Sequence, residues 1–221
     1  MEIIKDLSSY MDHTFLKQTA TAEDISRICD EAVKFGFATV CVNPCHVKQA
    51  AKILGNENIG VCSVIGFPLG SSQTEVKMVE AMRAVENGAD ELDMVVNIGA
   101  LKEGDLNLFL KDIFLTVQGA GSVPVKAIIE TGCLTDEEKK TACKLAVTAG
   151  ASYVKTCTGF GPGKAEVSDI KLMRETVGPD IGVKASGGIK TYKQAIALIE
   201  AGASRIGASA SIDIVKGIRN D

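Results

Sequence analysis

Apolar residues along the 221-residue chain follow two alternating rhythms. Short runs with strand composition alternate with longer stretches in which apolar positions recur every three or four residues, as at Val76, Val79, Met82 and Val85. Three of the longer stretches begin with the pattern of a capping box, Ser72 to Glu75, Thr135 to Glu138 and Thr191 to Gln194, and predict helix starts there. The helix ends say more. Three similar joints occur, Gly88-Ala89-Asp90, Gly150-Ala151-Ser152 and Gly202-Ala203-Ser204, with a weaker version at Gly36. Glycine suits the left-handed position just past a helix, and a strand-like run follows each joint. Repeated helix–glycine–strand units predict parallel strands joined by crossover helices. Eight strands are expected, over residues 9–13, 37–42, 59–65, 91–96, 123–129, 152–156, 181–185 and 204–207. Eight strand-then-helix units in a chain this short favour an α/β fold of the (β/α)8 TIM-barrel type, with residues 1–221 as a single catalytic domain, over an open doubly wound sheet.

Composition agrees and narrows the function classes. Hydrophobic residues make up 46% of the chain, enough for one large core, and no linker or low-complexity segment divides it. The net charge is −4 and no long basic run exists, so nucleic acid is not an expected partner. A small anion remains compatible, because it answers to local donors. The seven cysteines form no C-x-x-C pair and predict free thiols in a reducing compartment. Residues 1–10 hold no apolar stretch of signal-peptide length, and no run is long enough to span a membrane. The expectation is a cytoplasmic protein without a membrane partner. Barrel helices pack equally well against solvent or a sister subunit, so a homo-oligomer is compatible with the sequence.

Strands of a parallel barrel should be almost wholly apolar. Here they are not. Five residues beyond the joint glycines stand Cys41, Asp93, Lys155 and Gly207, which should share one level near the strand ends, where active sites of this fold lie. Other strands add Asp12, Lys126 and Lys184. The three lysines share one setting, Val125-Lys126-Ala127, Val154-Lys155-Thr156 and Val183-Lys184-Ala185. One such lysine alone would be read as snorkelling outward between helices. Three, together with Asp93, point instead to a polar pocket, since each buried charge costs stability unless it is paired or neutralised. A second ammonium and partial desolvation lower the pKa of a lysine amine, and the neutral amine adds to a carbonyl. The resulting iminium accepts electrons from a neighbouring C–C bond, and a carboxylate relays protons. No metal or cofactor is required. The residues by themselves leave Lys155 and Lys184 as equal candidates for the nucleophile.

Two further segments predict a phosphate. Ala185-Ser186-Gly187-Gly188-Ile189 follows the seventh strand and Gly207-Ala208-Ser209-Ala210-Ser211 the eighth. Glycine turns let backbone N–H groups approach an oxyanion, and this fold often holds phosphate after these two strands. Thr158-Gly159-Phe160-Gly161-Pro162-Gly163-Lys164, after Lys155, is either a third part of that cradle or simply a loop.

At these residues the sequence resembles the deoxyribose-phosphate aldolases. Tyr153-Val154-Lys155-Thr156-Cys157-Thr158-Gly159-Phe160 is similar to their Schiff-base segment, Val183-Lys184-Ala185-Ser186-Gly187-Gly188-Ile189 to their second-lysine segment, and Glu91-Leu92-Asp93-Met94-Val95-Val96-Asn97-Ile98-Gly99-Ala100-Leu101 to the stretch with their catalytic aspartate. Met11-Asp12-His13-Thr14-Phe15-Leu16-Lys17, Val64-Ile65-Gly66-Phe67-Pro68-Leu69-Gly70 and Ile128-Ile129-Glu130-Thr131 also fit, in order, from about Tyr10 to Ala210. The resemblance implies a lyase of deoxyribonucleotide catabolism that reversibly cleaves 2-deoxy-D-ribose 5-phosphate to acetaldehyde and D-glyceraldehyde 3-phosphate. It implies Lys155 as nucleophile, Lys184 as the neighbouring cation and Asp93 as the proton-relay carboxylate. Asp12, Thr14 and Lys126 would support the polar network, and Gly159, Gly187, Gly188, Gly207 and Ser209 would surround the phosphate. Cys41 matches a cysteine lining the family's pocket and is given no essential chemistry. Two departures stand out. Ser209 is followed by Ala210 where some members have a second serine, and the chain ends at Ile218-Arg219-Asn220-Asp221 where some carry a longer tail with a tyrosine.

Other chemistries fit less well. Cys41-Val42-Asn43-Pro44-Cys45-His46 lacks the ligand number and spacing of a zinc site, and Cys45 and His46 are expected at a helix start. With His13 and His46 the only histidines, a Ser–His triad has little to work with. No G-x-G-x-x-G fingerprint follows a strand. The run Asp136-Glu137-Glu138-Lys139-Lys140 is expected in the solvated first turn of a helix. Two rival functions survive the motifs: a barrel enzyme acting on a phosphorylated sugar by other chemistry, and an inert barrel that binds such sugars. Each leaves Lys155, Lys184 and Asp93 buried without a return.

Overall fold

The computed structural model describes residues 6–217. Eight parallel strands close in chain order into a barrel. They are β1 (Met11–Phe15), β2 (Thr39–Val42), β3 (Gly60–Ile65), β4 (Glu91–Val95), β5 (Val125–Ile128), β6 (Tyr153–Lys155), β7 (Gly182–Ser186) and β8 (Arg205–Ala208). The helices that wrap them are α1 (Ala22–Phe35), α2 (Val47–Leu54), α3 (Thr74–Glu86), α4 (Ile98–Glu103), α5 (Leu106–Ala120), α6 (Asp136–Thr148), α7 (Val167–Val177), α8 (Tyr192–Glu200) and α9 (Ser211–Val215). The eight expected strands are therefore present. The first begins later than expected, because residues 7–10 form a 3-10 turn capped by Asp6. The joint glycines adopt the positive φ that their role requires, 65° at Gly36, 99° at Gly88, 93° at Gly150 and 116° at Gly202. Residues 218–221 lie outside the described residues.

One expectation on α3 needs correction. Thr135 and Thr191 cap α6 and α8 through complete capping boxes, but the Ser72–Glu75 box does not form. Gln73 occupies the cap position without a side-chain bond, and Glu75 is drawn to Lys111 of α5 instead. A complete box that the S/T-x-x-E/Q pattern overlooks, Thr21 with Asp24, starts α1. The helical spacing of Val76, Val79 and Met82 is real, yet these side chains face outward, 53%, 50% and 43% exposed. The inner face carries Lys77, Ala81 and Ala84. The two alanines are small enough to admit the helix close to its neighbours, and Lys77 reaches a buried carboxylate, Asp112 of α5, at 2.6 Å.

The apolar mass lies between sheet and helices. Strand residues such as Met11, Val40, Leu92, Met94, Val154 and Ile206 meet Ile25, Ile28, Phe109, Ile113 and Met173 in one large cluster. A separate cluster of Leu16, Cys41, Cys62 and Val64 is small. The alternation of strand side chains sends one set out to the helices and the other into the barrel, and the inward set is unusually polar.

Candidate active site

The register of neighbouring strands stacks the inward side chains in layers, each drawn from alternate strands as this fold requires. Thr39, Glu91, Tyr153 and Arg205 form the lower layer, Asp12, Cys62, Lys126 and Lys184 the middle, and Cys41, Asp93, Lys155 and Gly207 the upper. The count of five residues from each joint glycine thus recovers the upper layer. All three lysines point inward and none snorkels to the outer surface.

Asp93 is the hub. Its Oδ2 accepts from Lys155 Nζ at 2.7 Å and from Lys184 Nζ at 2.6 Å, while its Oδ1 accepts from Lys126 Nζ at 3.0 Å and from the Cys62 thiol at 3.2 Å. Lys184 also pairs with Asp12, and Lys126 with Glu91 at 2.5 Å. Arg205 closes the network from below, donating to Asp12 at 2.7 Å and to Glu91 at 3.0 Å. Burial alone would raise the Asp12 carboxyl, but Lys184, Lys126 and Arg205 take it down to about 2. Asp93 is held well below the ordinary carboxylate range against the same burial, by Lys126, Lys155 and Lys184. Burial pushes the ammoniums of Lys126 and Lys184 down, yet their carboxylate neighbours prevail and both are raised. Among the described residues the interior sets Lys126, Lys155, Lys184 and Arg205 against Asp12, Glu91 and Asp93, one cation in excess.

Lys155 differs from the other two lysines in two ways. It has a single carboxylate oxygen, shared with Lys184, and it lines a cavity of about 750 Å³ at the C-terminal ends of the strands. The cavity wall also includes Thr14, Gly159, Gly187, Gly188, Gly207 and Ser209. The Thr14 hydroxyl donates to the Asp12 carbonyl at 3.0 Å, which fixes the rim of β1. Gly187 and Gly188 take φ of 100° and 72°. A Cβ on Gly207 would lie 3.0 Å from Lys184 Cε, so this glycine makes room for the lysine as much as for a ligand. Cys41 stands in the upper layer, buried beside Cys62, and is not on the cavity wall. Cys45 is exposed and His46 ends the short turn before α2, away from this site.

Sequence reasoning missed Glu91, Arg205 and Cys62. Period-two alternation finds the first two, since they precede Asp93 and Gly207 by two residues on the same strand face. Cys62 is met only through the register with Cys41. Cys41, Cys62 and Asp93 could offer a metal one ligand atom each within 4.8 Å, as could Asp12, Cys62 and Glu91. The carboxylates in both sets already face ammonium groups, and fixed cations this close repel a metal ion.

Residues 7–217 match the family described as DeoC/LacD family aldolase. A deoxyribose-phosphate aldolase of Thermococcus gammatolerans is 57% identical over 219 residues, with 97% of each chain covered. One of Streptococcus gordonii is 56% identical over 211 residues, with 96% of each covered. Among solved structures, an aldolase named QR15 superposes with a TM-score of 0.93 at 38% identity, covering 98% of this chain and 97% of that one. A deoxyribose phosphate aldolase of Aeropyrum pernix, described as a unique tetramer, superposes with a TM-score of 0.90 at 32% identity, covering 96% and 91%. A closed barrel with a lysine–aspartate interior, matched over nearly its whole length, makes this chain a member of the DeoC/LacD aldolase family, on the branch whose curated relatives are deoxyribose-phosphate aldolases.

Proposed function

We propose that the protein reversibly cleaves 2-deoxy-D-ribose 5-phosphate to acetaldehyde and D-glyceraldehyde 3-phosphate through a Schiff base on Lys155. The observation that carries this is the place of Lys155, which lines the cavity while Lys126 and Lys184 do not. Lys126 and Lys184 are both raised by their carboxylate neighbours, which favours their charged forms. The amine placed to meet a carbonyl in the cavity is then Lys155. Neutral Lys155 Nζ adds to the aldehyde carbon of the open-chain sugar, and loss of water leaves an iminium. Removal of the proton from the C3 hydroxyl lets the C2–C3 bond electrons move toward the iminium, releasing the three-carbon aldehyde and leaving an enamine. Protonation of the enamine carbon and hydrolysis return acetaldehyde and free Lys155. Asp93 Oδ2 bridges both amines, so a proton can pass between Lys155 and Lys184 through it. Asp12 and Lys126 hold that bridge in place from below, and Thr14 steadies the β1 rim. Gly159, Gly187, Gly188, Gly207 and Ser209 take the phosphate.

Borohydride added with acetaldehyde is expected to leave a two-carbon adduct on Lys155, read by peptide mass spectrometry, and Lys155→Ala should lower cleavage by about a thousandfold or more. A protein that stays unmodified while cleaving the sugar removes the Schiff base from the scheme.

The proposal includes residues 1–221 acting as one catalytic domain, in the cytoplasm. All seven cysteines are free, which suits a reducing compartment, and no described helix is long and apolar enough to cross a membrane. It also includes self-association. Val76, Val79 and Met82 on α3 and Phe114 on α5 expose apolar surface on neighbouring helices, and a solution mass of a single chain would remove this part.

A further inference from the structure

The loop that follows Lys155 is not free to choose its shape. Glu130, at the end of β5, is the one described non-glycine residue with positive φ, at 54°, a conformation a glycine would adopt more easily. Its side chain is buried, and its carboxylate faces the loop. Thr158 donates to it twice, from the hydroxyl to Oε2 at 2.5 Å and from the backbone N–H to the same oxygen at 3.2 Å. The Thr158 hydroxyl oxygen in turn accepts from the N–H groups of Phe160 at 3.0 Å and Gly161 at 3.2 Å. A Cβ on Gly161 would lie 2.9 Å from the Glu130 carboxylate, and one on Gly132 would lie 2.4 Å from Gly163 Cα. The glycines of the loop are therefore where the chain lies directly over Glu130 and the turn that follows it. The same fold of the loop brings Gly159 opposite Gly187, with a Gly159 Cβ 3.9 Å from Gly187 Cα, and both line the cavity.

We propose that Glu130 is a positioning residue for substrate specificity: its carboxylate fixes the 158–163 loop so that Gly159 and Gly187 form the two sides of the phosphate cradle. This rests on the phosphorylated-sugar reading above. Glu130 does not line the cavity itself, and a carboxylate exposed there would repel a phosphate. Beneath the loop, where the hydroxyl and N–H of Thr158 donate to it, it organises donors instead. The positive φ of Glu130 is the backbone cost of holding a carboxylate under the loop at this position.

Three full-length proteins test this: wild type, Glu130→Gly and Glu130→Gln. Glycine accepts the positive φ, so the first variant removes the carboxylate without straining the backbone. Glutamine keeps the volume and one acceptor oxygen. The readout is kcat/KM for 2-deoxyribose 5-phosphate divided by that for unphosphorylated 2-deoxyribose, a ratio that partial misfolding does not move. Glu130→Gly is expected to lower the ratio about tenfold, mainly through KM for the phosphorylated sugar, and Glu130→Gln to fall between. Borohydride trapping of Lys155 by acetaldehyde should stay within about twofold of wild type, because the amine is untouched. An unchanged ratio, or an equal fall for both sugars, overturns the assignment of Glu130. A wild type that prefers neither sugar overturns the phosphorylated-substrate reading itself, and this proposal with it.

Discussion

Gly207 shows how one missing methyl group governs the site. The side chain of Lys184 passes beneath it on the way to Asp93, and a methyl group would meet Cε at 3.0 Å and Ser186 Cβ at 3.2 Å. The aliphatic arm of a lysine can shift by a few tenths of an ångström, but its ammonium is held by Asp12 and Asp93 together. Any shift of the arm is thus passed to Asp93 Oδ2, on which Lys155 also depends. Gly207→Ala should therefore fold normally and lose about tenfold or more in kcat, with a smaller change in KM, measured by steady-state cleavage of 2-deoxyribose 5-phosphate. A change confined to KM would mean that Gly207 serves only the ligand. Lys155 and Lys184 occupy near-identical sequence settings and stand side by side across β6 and β7. What distinguishes them is the number of carboxylates around each and the side that opens to the cavity, and both depend on strands distant in sequence.

At the scale of elements, α3 and α5 are joined to β4 by buried charges. Lys77 donates to Asp112 at 2.6 Å and to the Val95 carbonyl at 2.9 Å, and Asp112 also accepts from the Asn97 N–H at 3.0 Å. Burial pushes Lys77 down and Asp112 up, each toward its uncharged form, and mutual attraction opposes both. Lys77→Met should cost about 3–5 kcal/mol, because it leaves a buried carboxylate unpaired. Adding Asp112→Asn removes the stranded charge and keeps an acceptor for Asn97, so the double variant should be the more stable of the two by denaturant titration. If the single and double variants unfold together, the pair is not ionised. This face of α3 is illegible in the sequence. Periodicity gives the spacing of Val76, Val79 and Met82, but not which side of the helix meets the barrel. The strand order was legible, because Gly36, Gly88, Gly150 and Gly202 mark helix ends chemically. So was the upper layer, since a constant distance from a joint becomes a constant height in a closed barrel. Glu130 was not, because its importance lies in a backbone angle that no residue type announces.

For the molecule as a whole, the interior network ties stability to pH. Asp12 and Asp93 titrate lower in the folded chain than unfolded, so their contribution is complete above the ordinary carboxylate range and is lost as the pH falls through it toward about 2. The melting temperature should be steady near neutrality and fall steeply below about pH 4, followed by circular dichroism. A Lys184→Leu variant leaves both carboxylates less well paired, so its acid transition should begin at higher pH than that of the wild type.

The separation of the large apolar cluster outside the sheet from the charged layers inside it has a consequence for descent with change. Cohesion resides in the sleeve, where strands meet helices, and reactivity in the bore. A lineage can rewrite the bore, exchanging one set of paired charges for another, while the sleeve continues to hold the scaffold upright. The cost of novelty in such a molecule is electrostatic balance within a narrow channel, not the repacking of its walls.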